Sequence, residues 1–154
     1  MAQRIIASLD EMKSLVGQEI GVSEWLEIRQ DRVNAFADAT LDHQWIHVDP
    51  ERAKRESPFG GPIAHGFLTL SLLPEFAHQA YRIDAPFKHG VNYGLNRLRF
   101  TGPVPVGSRI RARFVLESIE DHDWGVQSVW GVTVEVEGRE KPALVAEWVS
   151  RAYR

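Results

Sequence analysis

The sequence predicts an α+β fold, with a curved antiparallel sheet laid over one buried helix. Three observations lead there. Helical periodicity is confined to the first half of the chain and strand-like alternation to the second. The segment FLTLSLLPEFAHQAY, residues 67–81, is apolar on nearly every side, the mark of a helix enclosed by its own fold. From residue 90 onward apolar residues recur at every second position, as in antiparallel strands with one buried face.

Each element has its own local reason. Ser8 followed by Glu11 has the spacing of a capping box, opening a short helix that Gly17 can close. QEIGVSEWLEI, residues 18–28, reads as an early strand. DRVNAFADAT, residues 31–40, sets Val33, Phe36, Ala37 and Thr40 at helical spacing, with Asp31 near the N-cap position. Asp49-Pro50 starts a second helix, since proline suits the first turn. SPFGGPIAHG, residues 57–66, is too rich in turn residues for regular structure. Pro74 should bend or shorten the helix after it. Among the strands, Ile110, Ala112, Phe114 and Leu116 alternate with Arg109, Arg111 and Arg113, which are expected to form a solvated face. Val126, Ser128, Trp130, Val132, Val134 and Val136 share one face of a long strand. Leu144, Ala146 and Trp148 repeat the pattern.

A chain of 154 residues, without repeats, low-complexity tracts or linkers, is expected to form a single domain over 1–154. Its net charge of −3 gives no electrostatic reason to expect nucleic acid or a membrane as partner. The absence of cysteine excludes disulfides, thiolate metal sites and a cysteine nucleophile. MAQRIIASLDEMKSLVG lacks the apolar core of a signal peptide, and no segment has the length of a membrane span, so a cytoplasmic protein is expected.

Chemistry-bearing residues crowd into LDHQWIHVDP, residues 41–50. His43 and His47 have the spacing of a zinc-binding HExxH helix, but Gln44 stands in place of the glutamate and no third ligand is evident. No metal is expected. Asp42 and His47 suit acid/base work instead. A carboxylate and an imidazole in one loop can hold and deprotonate a water, then return the proton. The plain alternative is that Asp42 caps a turn and His47 is a hydrogen-bonded loop residue, as Asp49 is expected to cap the next helix. PIAHG adds a second feature: Gly66 and Phe67 begin the apolar helix, where unpaired amides and the helix dipole suit a developing oxyanion. Gly66 equally suits tight packing of helix on sheet.

FADATLDHQWIHVDPERA, then GGPIAHGFLTLSLL, and later NYGLNRLRFTGPVPVGSRIRARFVL resemble the MaoC-like dehydratase family, which includes the (R)-specific enoyl-CoA hydratases. The wording is closest to its nodulation-protein-N-like branch, and the similarity runs from about residue 17 onward. The resemblance implies a hotdog fold, a homodimer or higher oligomer, and reversible addition of water to a trans-2-enoyl-CoA thioester. It implies no cofactor, because coenzyme A arrives as part of the substrate. Asp42 and His47 match the family's catalytic pair, and Gly66 matches the glycine whose N–H binds the thioester oxygen. Gln44 and Trp45 depart from the common D-x-N-P-x-H pattern; Trp45 is expected to line or narrow the tunnel. His65 and Asn92 are further substrate-binding candidates, with a structural role expected for His65. Asn92 and Arg97 could reach the coenzyme A portion or a partner subunit, with core or surface roles expected for both. An acyl-CoA thioesterase and a non-catalytic acyl-thioester binding module are the competing functions.

Overall fold

The computed structural model describes residues 2–154. Helix α1 (Leu9–Ser14) starts at Ser8, whose hydroxyl accepts the Glu11 amide, while Glu11 reaches back to the Ala7 amide at 2.6 Å. The expected early strand divides into β2 (Glu19–Val22) and β3 (Leu26–Glu27), both paired with β6 (Arg109–His122). Ser23 causes the interruption. Its hydroxyl accepts the Ala112 amide at 2.9 Å, replacing a backbone partner. Helix α2 (Gln30–Thr40) has Arg29 as its N-cap, so Asp31 lies inside the first turn, contrary to expectation. The short α3 (Trp45–Val48) leads to α4 (Pro50–Glu56), capped by Asp49 accepting the Arg52 amide at 3.1 Å.

The apolar helix is indeed broken near Pro74. It forms α5 (Gly66–Ser71) and α6 (Leu73–Ala80), joined at Leu72, with the proline in the first turn of α6. It is not enclosed all round, since Phe67 is 64% exposed. Strands β5 (His89–Arg99), β7 (Gly125–Val136) and β8 (Leu144–Tyr153) complete an antiparallel sheet in the order β2-β6-β7-β8-β5, with β3 beside β6. A small parallel pair, β1 (Arg4–Ile6) with β4 (Tyr81–Ile83), escaped the sequence pattern because three residues carry no periodicity.

The alternation in β6, β7 and β8 is as expected. Ile110, Ala112, Phe114, Trp130, Val132 and Val134 point inward and pack with Leu72, Leu73 and Phe76 of the helix pair. The arginine face is not merely solvated. Arg111 and Arg113 both reach Glu135 at 2.8 and 2.6 Å, Arg109 reaches Glu137 at 3.1 Å, and Arg111 lies 4.3 Å above the Trp25 ring. At Gly125 an added Cβ would sit 1.9 Å from the Ala152 carbonyl oxygen, so this strand entry requires glycine. A curved antiparallel sheet wrapped around a central helix is the hotdog architecture. Among the described residues no helix is long and apolar enough to cross a membrane.

Candidate active site

Helix α2 ends at Leu41, the one non-glycine residue at positive φ (66°) among those described. A left-handed residue turns the chain sharply, and the turn projects Asp42 away from the helix. Asp42 is exposed, and its Oδ1 lies 3.4 Å from the Gln44 amide, too long for an effective cap. His43 turns outward and pairs with Asp38 at 2.8 Å. His43 and His47 therefore do not form a ligand pair.

His47 is buried, at 8% exposure, and held at both ends. Its Nδ1 donates to the Ile63 carbonyl at 2.7 Å, which places the proton on Nδ1 and leaves Nε2 as an acceptor. Its own carbonyl accepts from Gln30 Nε2 at 2.7 Å. The Ile63 amide returns a bond to the Ile46 carbonyl at 3.1 Å, and Ala64 continues the attachment to Val104 at 2.8 Å. The turn SPFGGPIAHG is thereby fastened to the Asp42–His47 loop on one side and to the segment before β6 on the other. Burial holds the His47 pKa below the usual histidine value. The bond to Ile63 opposes that, the charge of His65 adds to it, and Asp42 opposes it.

His65 is the N-cap residue of α5, and its Nε2 donates to the Asp42 carbonyl at 3.0 Å. Its ring stacks on His47 with centroids 3.9 Å apart and an interplanar angle of 25°. One ligand-capable atom each from Asp42, His47 and His65 lie within 4.8 Å of one another. That spacing suits a water shared by hydrogen bonds. It suits one metal ion poorly, because nearly parallel stacked rings direct their in-plane lone pairs side by side instead of toward a common point 2.0–2.1 Å away.

Gly66 follows directly. Among the described residues no acceptor is bonded to the Gly66 or Phe67 amide, as the first turn of a helix requires. Gly66 lines a cavity of about 430 Å³ together with Phe59, Ile63, Thr69, Phe100 and Val104. The Phe100 ring covers the Gly66 backbone so closely that a Cβ there would meet it at 3.0 Å. The other candidates lie elsewhere. Gln44 is exposed at the start of α3. Trp45 is half-buried and lies under the Arg52 guanidinium at 4.4 Å. Asn92 accepts from Trp148 Nε1 at 3.2 Å in a separate apolar cavity of about 330 Å³ formed by α5, α6 and β5. Arg97 borders a cleft on the other sheet face with Glu117 and Glu147.

Gln30 and Phe100 were missed by sequence reasoning. Gln30 precedes His47 by most of a helix, and Phe100 ends a strand far along the chain. Only the fold brings them to the site.

Comparison with known proteins bears on the fold and the family. The family model for the MaoC-like domain matches residues 11–138. The chain is 53% identical over 149 residues to 3-hydroxyacyl-thioester dehydratase Z of Mycobacterium tuberculosis, covering 96% of this chain and 97% of that protein. It is 49% identical over 154 residues to nodulation protein N of Rhizobium meliloti, covering 94% and 91%. The solved (R)-hydratase of A. caviae, involved in PHA biosynthesis, superposes with a TM-score of 0.69 at 26% identity, covering 87% of this chain and 96% of that one. With the family model spanning most of its length and relatives about half identical to it, the chain belongs to the MaoC-like dehydratase family.

Proposed function

We propose that this hydro-lyase is an (R)-specific enoyl-CoA hydratase, interconverting a trans-2-enoyl thioester and water with the (R)-3-hydroxyacyl thioester. One observation carries the reading: a carboxylate oxygen of Asp42 and a ring nitrogen of His47 lie within 4.8 Å of each other, with His47 held in the tautomer whose Nε2 can accept a proton. In the hydration direction the water oxygen attacks the β-carbon as a proton passes to the Asp42–His47 pair. The α,β double-bond electrons move to the α-carbon and onto the thioester oxygen, which the Gly66 amide stabilises. The α-carbon then takes a proton from the pair, and both groups return to their starting states. Nothing in this sequence of steps calls for a metal or redox group, and coenzyme A enters with the substrate. The dehydratase names of relatives at about half identity support the reaction class.

The working unit in this reading is a homodimer joined along β5. Every residue of that strand is exposed or half-exposed, and among the described residues β8 is its sole strand neighbour. Tyr93, Leu95, Phe100 and Phe67 leave apolar surface beside its open edge, an arrangement that association would cover.

Crotonyl-CoA and longer enoyl-CoAs provide the test. Loss of enoyl ultraviolet absorbance at constant free thiol is the expected result. Thiol release would show a thioesterase, and binding without turnover at any chain length would show a binding module.

A further inference from the structure

We propose that His65 is a positioning residue for the Asp42–His47 pair: its ring fixes the plane of the His47 ring, and its Nε2–H fixes the Asp42 backbone. One side chain then sets the relative placement of the two groups that handle the water. The inference rests on the acid/base reading of those two residues.

Three features single His65 out. It is 3% exposed, yet its buried Nδ1 has no hydrogen-bond partner among the described residues, an unfavourable condition that phenylalanine or leucine would avoid. A residue present only to fill space would not be a histidine. Its other nitrogen donates to Asp42, which turn geometry of its own secures only through the 3.4 Å contact with Gln44. Its ring lies 3.9 Å from His47 and 5.0 Å from Phe36, so a rigid helix residue also touches the stack. Because Gly66 is the next residue in the chain, the same side chain joins the water-handling loop to the first amide of α5.

The electrostatics give the proposal a signature. The charges that act on His47 are those of Asp42, on its own loop, and His65, from the start of α5. Gln30, which touches it from α2, is uncharged. Where His65 carries charge it opposes protonation of His47, so replacing it with a neutral polar residue should let His47 titrate at higher pH.

The test compares His65→Gln and His65→Phe with the wild type by thermal melting, by the pH profile of kcat for crotonyl-CoA hydration, and by histidine NMR titration. Both variants should melt cooperatively and lose about tenfold or more in kcat, with KM within about threefold, as expected for misplaced catalytic groups. In His65→Gln the His47 titration and the acid limb of kcat should move together to higher pH. Folded variants with wild-type kcat and an unmoved His47 titration would overturn the proposal. Should either variant fail to fold, nitrogen-15 spectra of the wild type decide: His65 must carry its proton on Nε2, and the opposite tautomer overturns the proposal. Activity surviving in Asp42→Asn or His47→Gln would instead defeat the acid/base reading itself, whatever the His65 variants do.

Discussion

Gly66→Ala adds one methyl group at the point where the helix pair, the Phe100 ring and the open amide meet. The new Cβ would find Phe100 carbons at 3.0, 3.0 and 3.1 Å. Carbon contacts settle near 3.5–4.0 Å, so the ring must retreat by roughly half an ångström or more. It has room, being 44% exposed and packed edge-on against Phe67, which is 64% exposed. The repacking cost therefore falls near the low end of overpacking, about 1 kcal/mol. Replacing glycine by alanine within a helix returns roughly 0.5–1 kcal/mol. The two nearly cancel, and the melting temperature should stay within about 4 °C of wild type. Activity should not survive so well. The displaced ring narrows the cavity that Gly66 lines; alanine keeps the backbone N–H, so the loss comes from a thioester oxygen held away from that donor, and loss of the full contact costs about 100-fold in kcat. Enoyl-CoA hydration and a thermal melt on the same preparation read both quantities. Hydration within about threefold of wild type, at an unchanged melting temperature, would refute the assignment of that amide to the thioester oxygen. A melting temperature lowered by more than about 8 °C would refute the packing account instead.

Three other outcomes are expected. Asp42→Asn and His47→Gln should each reduce kcat at least about 100-fold in the enoyl-CoA assay, the scale of lost acid/base catalysis. The His47 pKa is lower folded than its ordinary 6.5, so its stabilising contribution is present above that value and lost as pH falls through the folded pKa. Melting temperature should accordingly decline below about pH 6.5 more steeply in the wild type than in His47→Gln, and parallel curves would contradict this. Leu95→Lys, on the open edge of β5, should shift sedimentation toward a single chain and lower hydration activity with it.

Much of the fold was legible because the sheet's inner face writes itself at period two through Ile110–Leu116, Val126–Val136 and Leu144–Trp148. The break at Pro74 was legible because proline leaves few choices. Strand β5 was not legible by alternation: exposed on both faces and bulged near Asn92 and Leu95, it has no buried side to impose a period. For the site, the closeness of Asp42 and His47 followed from one short loop. The bonds that orient His47 did not, because Ile63, Gln30 and His65 meet it through tertiary folding. Trp45 shows the limit from the other direction. Its ring is met by Arg52, one turn into the next helix, a contact that no spacing in the sequence announces.

The bond from the Ile63 amide to the Ile46 carbonyl, together with those from His47 to Ile63 and from His65 to Asp42, has a mechanical consequence. Carboxylate, imidazole and helix-start amide belong to one clasped segment, and thermal motion displaces them together instead of changing the gaps between them. The intervening α4 is a detour between the two sides of the clasp, anchored by the fully buried Ala53 and by Arg52 over Trp45. Substitutions on its exposed face should therefore leave the catalytic spacing unchanged.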